Sequence, residues 1–243
     1  MSALTREGPL VRVGHKGADL IAPGNTLQSF DAALAAGVDM VEFDVLPERW
    51  LDGDSELRLA HDYDDLRGRS CLTLEEGLDH LAPTGVRIDV DLKGPRYERR
   101  VIDALRERGL VERSLISSQY LESLRLIRAE EPRLRLGWSV PKARSDPFDS
   151  RWRRIPAHAL VAAYRAQLPA RARAAVRAGH VDALMAHWRL VTPRLVRAVR
   201  NAGGDLYVWT VDDRSHIERL DTLGVTGVIT NDPRLFGAGA ATR

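Results

Sequence analysis

The chain has 243 residues, of which 44% are hydrophobic and 29% charged. That length suits one large domain or two small ones, and the composition is that of an ordinary globular protein rather than a disordered or fibrous one. A formal charge of +2 argues neither for nor against nucleic acid, and the single Cys71 excludes an intrachain disulfide framework or a multi-cysteine zinc site.

The first nine residues lack an apolar core of signal-peptide length, and no run approaches a membrane span. The expectation is a cytoplasmic protein without stable membrane insertion or a nucleic-acid partner. Of 36 basic residues only three are lysines: Lys16, Lys93 and Lys142. Where arginine is the default cation, a lysine marks a place where a compact point charge is wanted.

Residues 10–13 read as a short apolar strand running into the turn Gly14-His15-Lys16-Gly17. Residues 26–36 have helical spacing (Leu27, Phe30, Ala33, Leu34) and stop at Gly37. Residues 40–45 are a second strand, with Val41, Phe43 and Val45 alternating against Glu42 and Asp44. A short extension at 57–60 ends at His61-Asp62, and Thr73 with Glu76 forms a capping box opening a helix over 73–81. A third strand at 86–92 alternates Ile88, Val90 and Leu92 against Asp89 and Asp91, and a helix over 97–108 ends at Gly109.

Strands at 115–118 and 134–140 flank a helix at 121–130, which Pro132 stops. Residues 141–156 hold three prolines and many arginines and read as a long loop; 157–177 is helical, interrupted at Pro169. Strands at 183–186, 206–211 and 227–230 alternate with helices at 193–202, capped by Thr192, and 215–223. Eight strand–helix units without a low-complexity linker predict a single-domain α/β fold, a closed (β/α)8 TIM barrel over 1–243. The rival, an open doubly wound sheet, would show a glycine-rich phosphate turn after its first strand, and none is present.

In such a barrel chemistry collects at the carboxyl ends of the strands. His15 and Lys16 follow the first strand; Glu42 and Asp44 end the second. His61 follows the short extension; Asp91 and Lys93 end the third strand. Lys142 follows the fifth, and Trp209 lies near the end of the seventh. Residues two apart on a strand share a face, so Glu42 and Asp44 are roughly 7 Å apart at the backbone. Alone, such a pair is often a solvated edge. With Asp91 on the neighbouring strand, three hard oxygen ligands converge and suit one divalent cation, Mg²⁺ or Ca²⁺. Zinc stays open through His15 and His61. Two histidines beside such a site suggest acid and base catalysis. His80, His158, His180 and His216 read as structural or surface groups, and His187, after the sixth strand, is left undecided.

These residues resemble the glycerophosphodiester phosphodiesterases. The resemblance rests on His15-Lys16-Gly17, Pro23-Gly24-Asn25-Thr26 with Phe30, the run from Gly37 to Val45, His61-Asp62, Asp91-Leu92-Lys93, Ser117-Ser118, Trp209-Thr210-Val211 and Thr230-Asn231-Asp232-Pro233. It implies a metal-dependent phosphoric diester hydrolase acting on a small glycerophosphodiester, with His15 and His61 as acid and base. Glu42, Asp44 and Asp91 would be metal ligands, Lys93 would face the phosphate, and Trp209 would line the pocket. A cyclic phosphate would form and water would open it. Lys16 stands where the family has arginine, and Gly24 where it has glutamate; one change would release the other. Lys142 and the arginines up to Arg154 are expected to attract anionic substrate. The chain also resembles sphingomyelinase-D-like phospholipases, which leaves open phospholipase-D-like or lyase action on intact lysophospholipids or sphingolipids. A non-catalytic binding barrel is the third alternative.

Overall fold

The apolar and polar stripes of the sequence become the two faces of one barrel wall. A computed structural model describes residues 8–141 and 154–237. Eight parallel strands form the wall: β1 (Val11–Gly14), β2 (Met40–Pro47), β4 (Arg87–Leu92), β5 (Ser114–Ser118), β6 (Arg135–Val140), β7 (Ala183–His187), β8 (Asp205–Trp209) and β9 (Gly227–Thr230). Pairing of Val13 with Met40 and Gly14 with Val41 closes the ring between β1 and β2, as the (β/α)8 reading predicts. A two-residue strand, β3 (Leu57–Arg58), pairs antiparallel with Leu46 and Pro47 and so hangs from the carboxyl end of β2.

Strand parity decides which side chains go where. Val41, Phe43, Val45, Ile88, Val90 and Leu92 face the surrounding helices and are at most 1% exposed. Burying each stabilises the fold by about 1.5–3 kcal/mol. The opposite face fills the barrel interior. Val13, Met40, Leu115, Ala183, Met185, Tyr207 and Ile229 pack there, with Val11 and Trp209 against them. Glu42, Asp44, Asp89 and Asp91 share this inward parity, with Glu42 one inward step above Met40 and Asp89 level with Leu115.

The helices are α1 (Leu27–Ala35), α2 (Tyr63–Gly68), α3 (Leu74–Leu81), α4 (Glu98–Glu107), α5 (Leu121–Glu130), α6 (Arg154–Arg177), α7 (Pro193–Arg200) and α8 (Arg214–Leu223). Thr26 and Ser29 form a capping box on α1, Thr73 and Glu76 on α3, and Thr192 caps α7. Gly37 ends α1 with φ at +73°, a conformation glycine reaches without steric cost.

Two sequence expectations are corrected. The segment read as a loop to residue 156 is already helical at Arg154, the start of α6. That helix does not break at Pro169. Proline removes one backbone bond, but Leu168 and Ala172 on either side are 1% exposed core residues, and their packing outweighs it. Helix α2 is an element that the sequence left unassigned. It buries no residue, so it has no apolar period; the Asp62 side chain caps it by accepting from Asp64 and Asp65 N–H groups. Lys142 and the arginines at 144, 151 and 153 lie outside the described residues. Among the described residues no helix is long and apolar enough to cross a membrane.

Candidate active site

Parallel register places Asp44 opposite Asp91 and Glu42 opposite Asp89 on the inner wall. One oxygen from each of Glu42, Asp44 and Asp91 lies within 4.8 Å of the others. Lys93, one residue past β4, sets its Nζ 2.5 Å from Asp44 Oδ1 and 2.5 Å from Asp91 Oδ2. Burial and then the Asp44 charge push the Glu42 carboxyl well above the usual range. Burial acts the same way on Asp44, but Lys93 and His61 override it and hold that carboxyl well down. Lys93, surrounded by Asp44, Asp91 and Glu42, keeps its proton despite burial. Asp89 lies fully buried, and among the described residues neither of its oxygens has a hydrogen-bond partner. Burial, reinforced by Asp91, raises it well above its usual range.

One ammonium therefore faces four inward carboxyls. The three that converge are hard oxygen donors, with no thiolate or imidazole among them, and two are buried. This donor set fits Mg²⁺ or Ca²⁺, which take carboxylate oxygens and keep room for water or phosphate. It fits zinc less well.

Each histidine approaches one carboxylate of this cluster. His15 follows β1; its Nδ1 is 2.6 Å from Asn231 Oδ1, and its Nε2 is 3.9 Å from Glu42 Oε2. Asn231 donates from Nδ2 to Asp212 Oδ2 at 2.7 Å, which turns its carbonyl oxygen toward His15. His15 must then carry its proton on Nδ1 and present a lone pair at Nε2. Burial lowers the His15 pKa, against an opposing pull from Asp44. His61 hangs beyond β3, half exposed, with Nδ1 3.3 Å from Asp44 Oδ2. Its backbone N–H donates to Asp65 Oδ2 at 3.0 Å.

Asn25 locks the wall from the other side. It is fully buried with φ at +59°, donates from Nδ2 to Asp44 Oδ2 at 3.0 Å, and accepts the Asp44 N–H at 3.1 Å. Lys16 donates its backbone N–H to Glu42 Oε2 at 2.8 Å, and its ammonium pairs with Asp19. Trp209 ends β8 on the wall facing β2 and β4 across the ring. Its Nε1 donates to the Met185 carbonyl at 3.0 Å, and its ring meets His187 edge-on at 5.2 Å. His187 thus joins an aromatic wall with Trp188 and Trp209, with its Nδ1 accepting from the Arg189 N–H.

The structure brings together His15, His61, Glu42, Asp44, Asp91, Lys93 and the Lys16 backbone, and places Trp209 across the mouth. Sequence reasoning did not single out Asn25, Asn231, Asp212, Asp19 or Asp89 for the site. Asn25 and Asn231 lie in the Gly-Asn-Thr and Thr-Asn-Asp segments that carry the resemblance, and that was the available signal. Of the histidines set aside, His80 pairs with Asp31 at 2.7 Å and His216 stacks edge-on to Trp188 at 5.1 Å.

Comparison with known proteins gives a consistent picture. A sequence model of the Glycerophosphoryl diester phosphodiesterase family matches residues 15–47 and 81–235, and so passes over the segment that holds His61. A glycerophosphodiester phosphodiesterase of Caldanaerobacter subterraneus subsp. tengcongensis is 24% identical, over 91% of this chain and 93% of its own. The structure of a glycerophosphodiester phosphodiesterase from Thermotoga maritima superposes with a TM-score of 0.69 at 18% identity, covering 95% of this chain and 98% of that one. An Oleispira antarctica phosphodiesterase, solved with its product sn-glycerol-3-phosphate, superposes at 0.66 with 20% identity over 93% of this chain and 94% of its own.

Proposed function

This chain belongs to the glycerophosphoryl diester phosphodiesterase family and is a phosphodiesterase; from that premise we propose that His15 and His61 are its base and acid, working over a cation held by Glu42, Asp44 and Asp91. One observation carries the proposal. The two imidazoles approach two carboxylates of the same cluster, His15 at Glu42 and His61 at Asp44, from different loops.

The substrate is a small glycerophosphodiester. Its hydroxyl next to the phosphodiester attacks phosphorus as His15 Nε2 takes the hydroxyl proton. The bond to the alcohol breaks, and His61 gives that oxygen a proton. Water then opens the cyclic phosphate with the two roles reversed, leaving glycerol phosphate. Lys93 and Lys16 place positive charge beside the phosphoryl oxygens. A bound Mg²⁺ or Ca²⁺ supplies Lewis-acid stabilisation of the same charge. Trp209 lines the far side, and Lys142 draws anionic substrate to the mouth. The proposal includes cytoplasmic action by a single-domain enzyme.

The test is product release from a panel of glycerophosphodiesters after EDTA treatment, with Mg²⁺ or Ca²⁺ added back. Full activity in His15→Ala or His61→Ala would sink the mechanism, and an unchanged KM in Lys142→Ala would remove that residue from it. A second reading, cleavage of intact lysophospholipids, is favoured by four exposed apolar side chains on loops at the carboxyl end. They are Leu20 (61%), Ile21 (38%), Trp50 (50%) and Leu51 (39%). Activity on lysophosphatidylcholine without activity on glycerophosphocholine would select it.

A further inference from the structure

We propose that Asp19 is the positioning residue that sets the Lys16 ammonium at the mouth of the barrel, and that residue 24 is glycine because the Asp19 carboxylate stands where its side chain would go. The inference deepens the reading of Lys16 as a phosphate-facing group and rests on it.

Asp19 is held at both oxygens. Oδ2 pairs with Lys16 Nζ, and Oδ1 accepts the Gly24 N–H at 2.8 Å. The pair is partly shielded, with side chains 18% and 29% exposed. A Cβ at Gly24 would lie 2.5 Å from Asp19 Oδ1 and 2.8 Å from Lys16 Cβ, closer than either contact permits. Gly24 is not in a left-handed conformation, so its backbone does not require glycine; the crowding does.

The other end of Lys16 is also fixed. Its φ is +48°. Its N–H is bound to Glu42 Oε2, and its carbonyl accepts the Asn25 N–H at 3.0 Å and the Ser29 hydroxyl at 2.7 Å. Glu42 is one of the convergent carboxylates, so the lysine backbone is registered directly to that cluster. A free lysine side chain samples many rotamers. Asp19 removes much of that freedom before substrate arrives, which favours binding. An ammonium has three donors. Asp19 takes one, leaving two for phosphoryl oxygens. The two departures noted in the sequence, Lys16 and Gly24, thus meet at a third residue, a carboxylate supplied from position 19.

The chain's three lysines make the contact visible directly. Lysine labelled with ¹³C at Cε and ¹⁵N at Nζ gives three side-chain signals, and Lys16→Gln identifies one by its loss. Asp19→Asn is expected to move the Lys16 signal and leave Lys93 and Lys142 in place. With glycerophosphocholine and Mg²⁺, Asp19→Asn is expected to lower kcat/KM about tenfold, mainly through KM, and to add less than about twofold in a Lys16→Gln background. Gly24→Ala, a second route to the same displacement, should give the same signal shift and the same non-additivity. An unmoved Lys16 signal in Asp19→Asn overturns the proposal. So does a full Asp19→Asn loss that persists in Lys16→Gln. If Lys16→Gln itself leaves kcat/KM unchanged, the phosphate-facing reading of Lys16 falls, and with it the role of Asp19, whatever the spectrum records of the contact.

Discussion

The two ends of the barrel use charge in opposite ways. At the amino end, carboxylates meet arginine forks one for one or better. Asp39 takes Arg12 through two nitrogens, each at 3.1 Å. Asp182 takes Arg128 at 2.5 Å, Asp205 takes Arg135, and Glu131 receives both Arg106 and Arg133 at 2.9 Å. At the carboxyl end, Glu42, Asp44, Asp89 and Asp91 share one ammonium from Lys93, with two imidazoles at the edge. Matched forks hold the strand ends in register and leave little for a ligand. The mismatched end is costly in an isolated chain, and that unspent electrostatic demand is what a cation and a phosphodiester can satisfy. The same acidic residue types do both jobs; the partner, planar arginine or compact lysine, separates them.

The largest expected effect tests that contrast where it is sharpest. Glu42→Gln should cost activity by a factor on the order of 10³. It should leave the melting temperature in EDTA unchanged or raised, because it removes a buried carboxylate that its neighbours repel. A clear fall in that melting temperature would erase the distinction between the ends. Next, His15→Ala or His61→Ala should lower kcat/KM by about 10²–10³ while calorimetry shows cation binding retained. Because burial lowers the His15 pKa and a base must be neutral, the proposed role of His15 predicts that activity is lost as pH falls through that lowered value. The acid limb of kcat/KM should therefore lie below pH 6.5.

At the amino end the order reverses. Asp182 also accepts the Leu136 N–H at 2.8 Å, so Asp182→Asn should lower stability by about 1–2 kcal/mol in denaturant titrations, with kcat/KM unchanged. The smallest effect is a pH effect. Hydrogen bonds from Arg133 and then Arg106 hold Glu131 down to about 2. Its folded pKa is depressed, so the stability it contributes is present above the ordinary carboxylate range and disappears as pH falls toward about 2. Thermal melts of Glu131→Gln should show a shallower decline over that window than the parent.

Much of the carboxyl end was legible because strand parity is a local rule. Glu42, Asp44 and Asp91 could be put on one face from the alternation of their apolar neighbours, and the capping box of Thr73 and Glu76 is a four-residue pattern. The parts that escaped are those that no local period reports. His15 depends on Asn231, 216 residues away, which in turn depends on Asp212. Asp19 is unremarkable in the sequence until the fold brings Gly24 against it. Helix α2 lacks a buried face, so only its cap and the Asp65–Arg69 pair speak for it. Pro169 reads as a stop because the sequence carries the lost bond but not the compensating core.

His61 stands on a different foundation from His15. It is the first residue past Ala60, at the root of a loop whose base is clamped by the Leu59 N–H to the Leu72 carbonyl at 2.8 Å and by an Arg58–Thr73 bridge. A loop closed at its base can change length cheaply, at about 0.6 kcal/mol for each doubling. The segment between Ala60 and Leu72 is thus a cassette closed at its base, with an imidazole at its first residue. A change in the length of that loop would leave the His61 imidazole where it stands, 3.3 Å from Asp44 Oδ2.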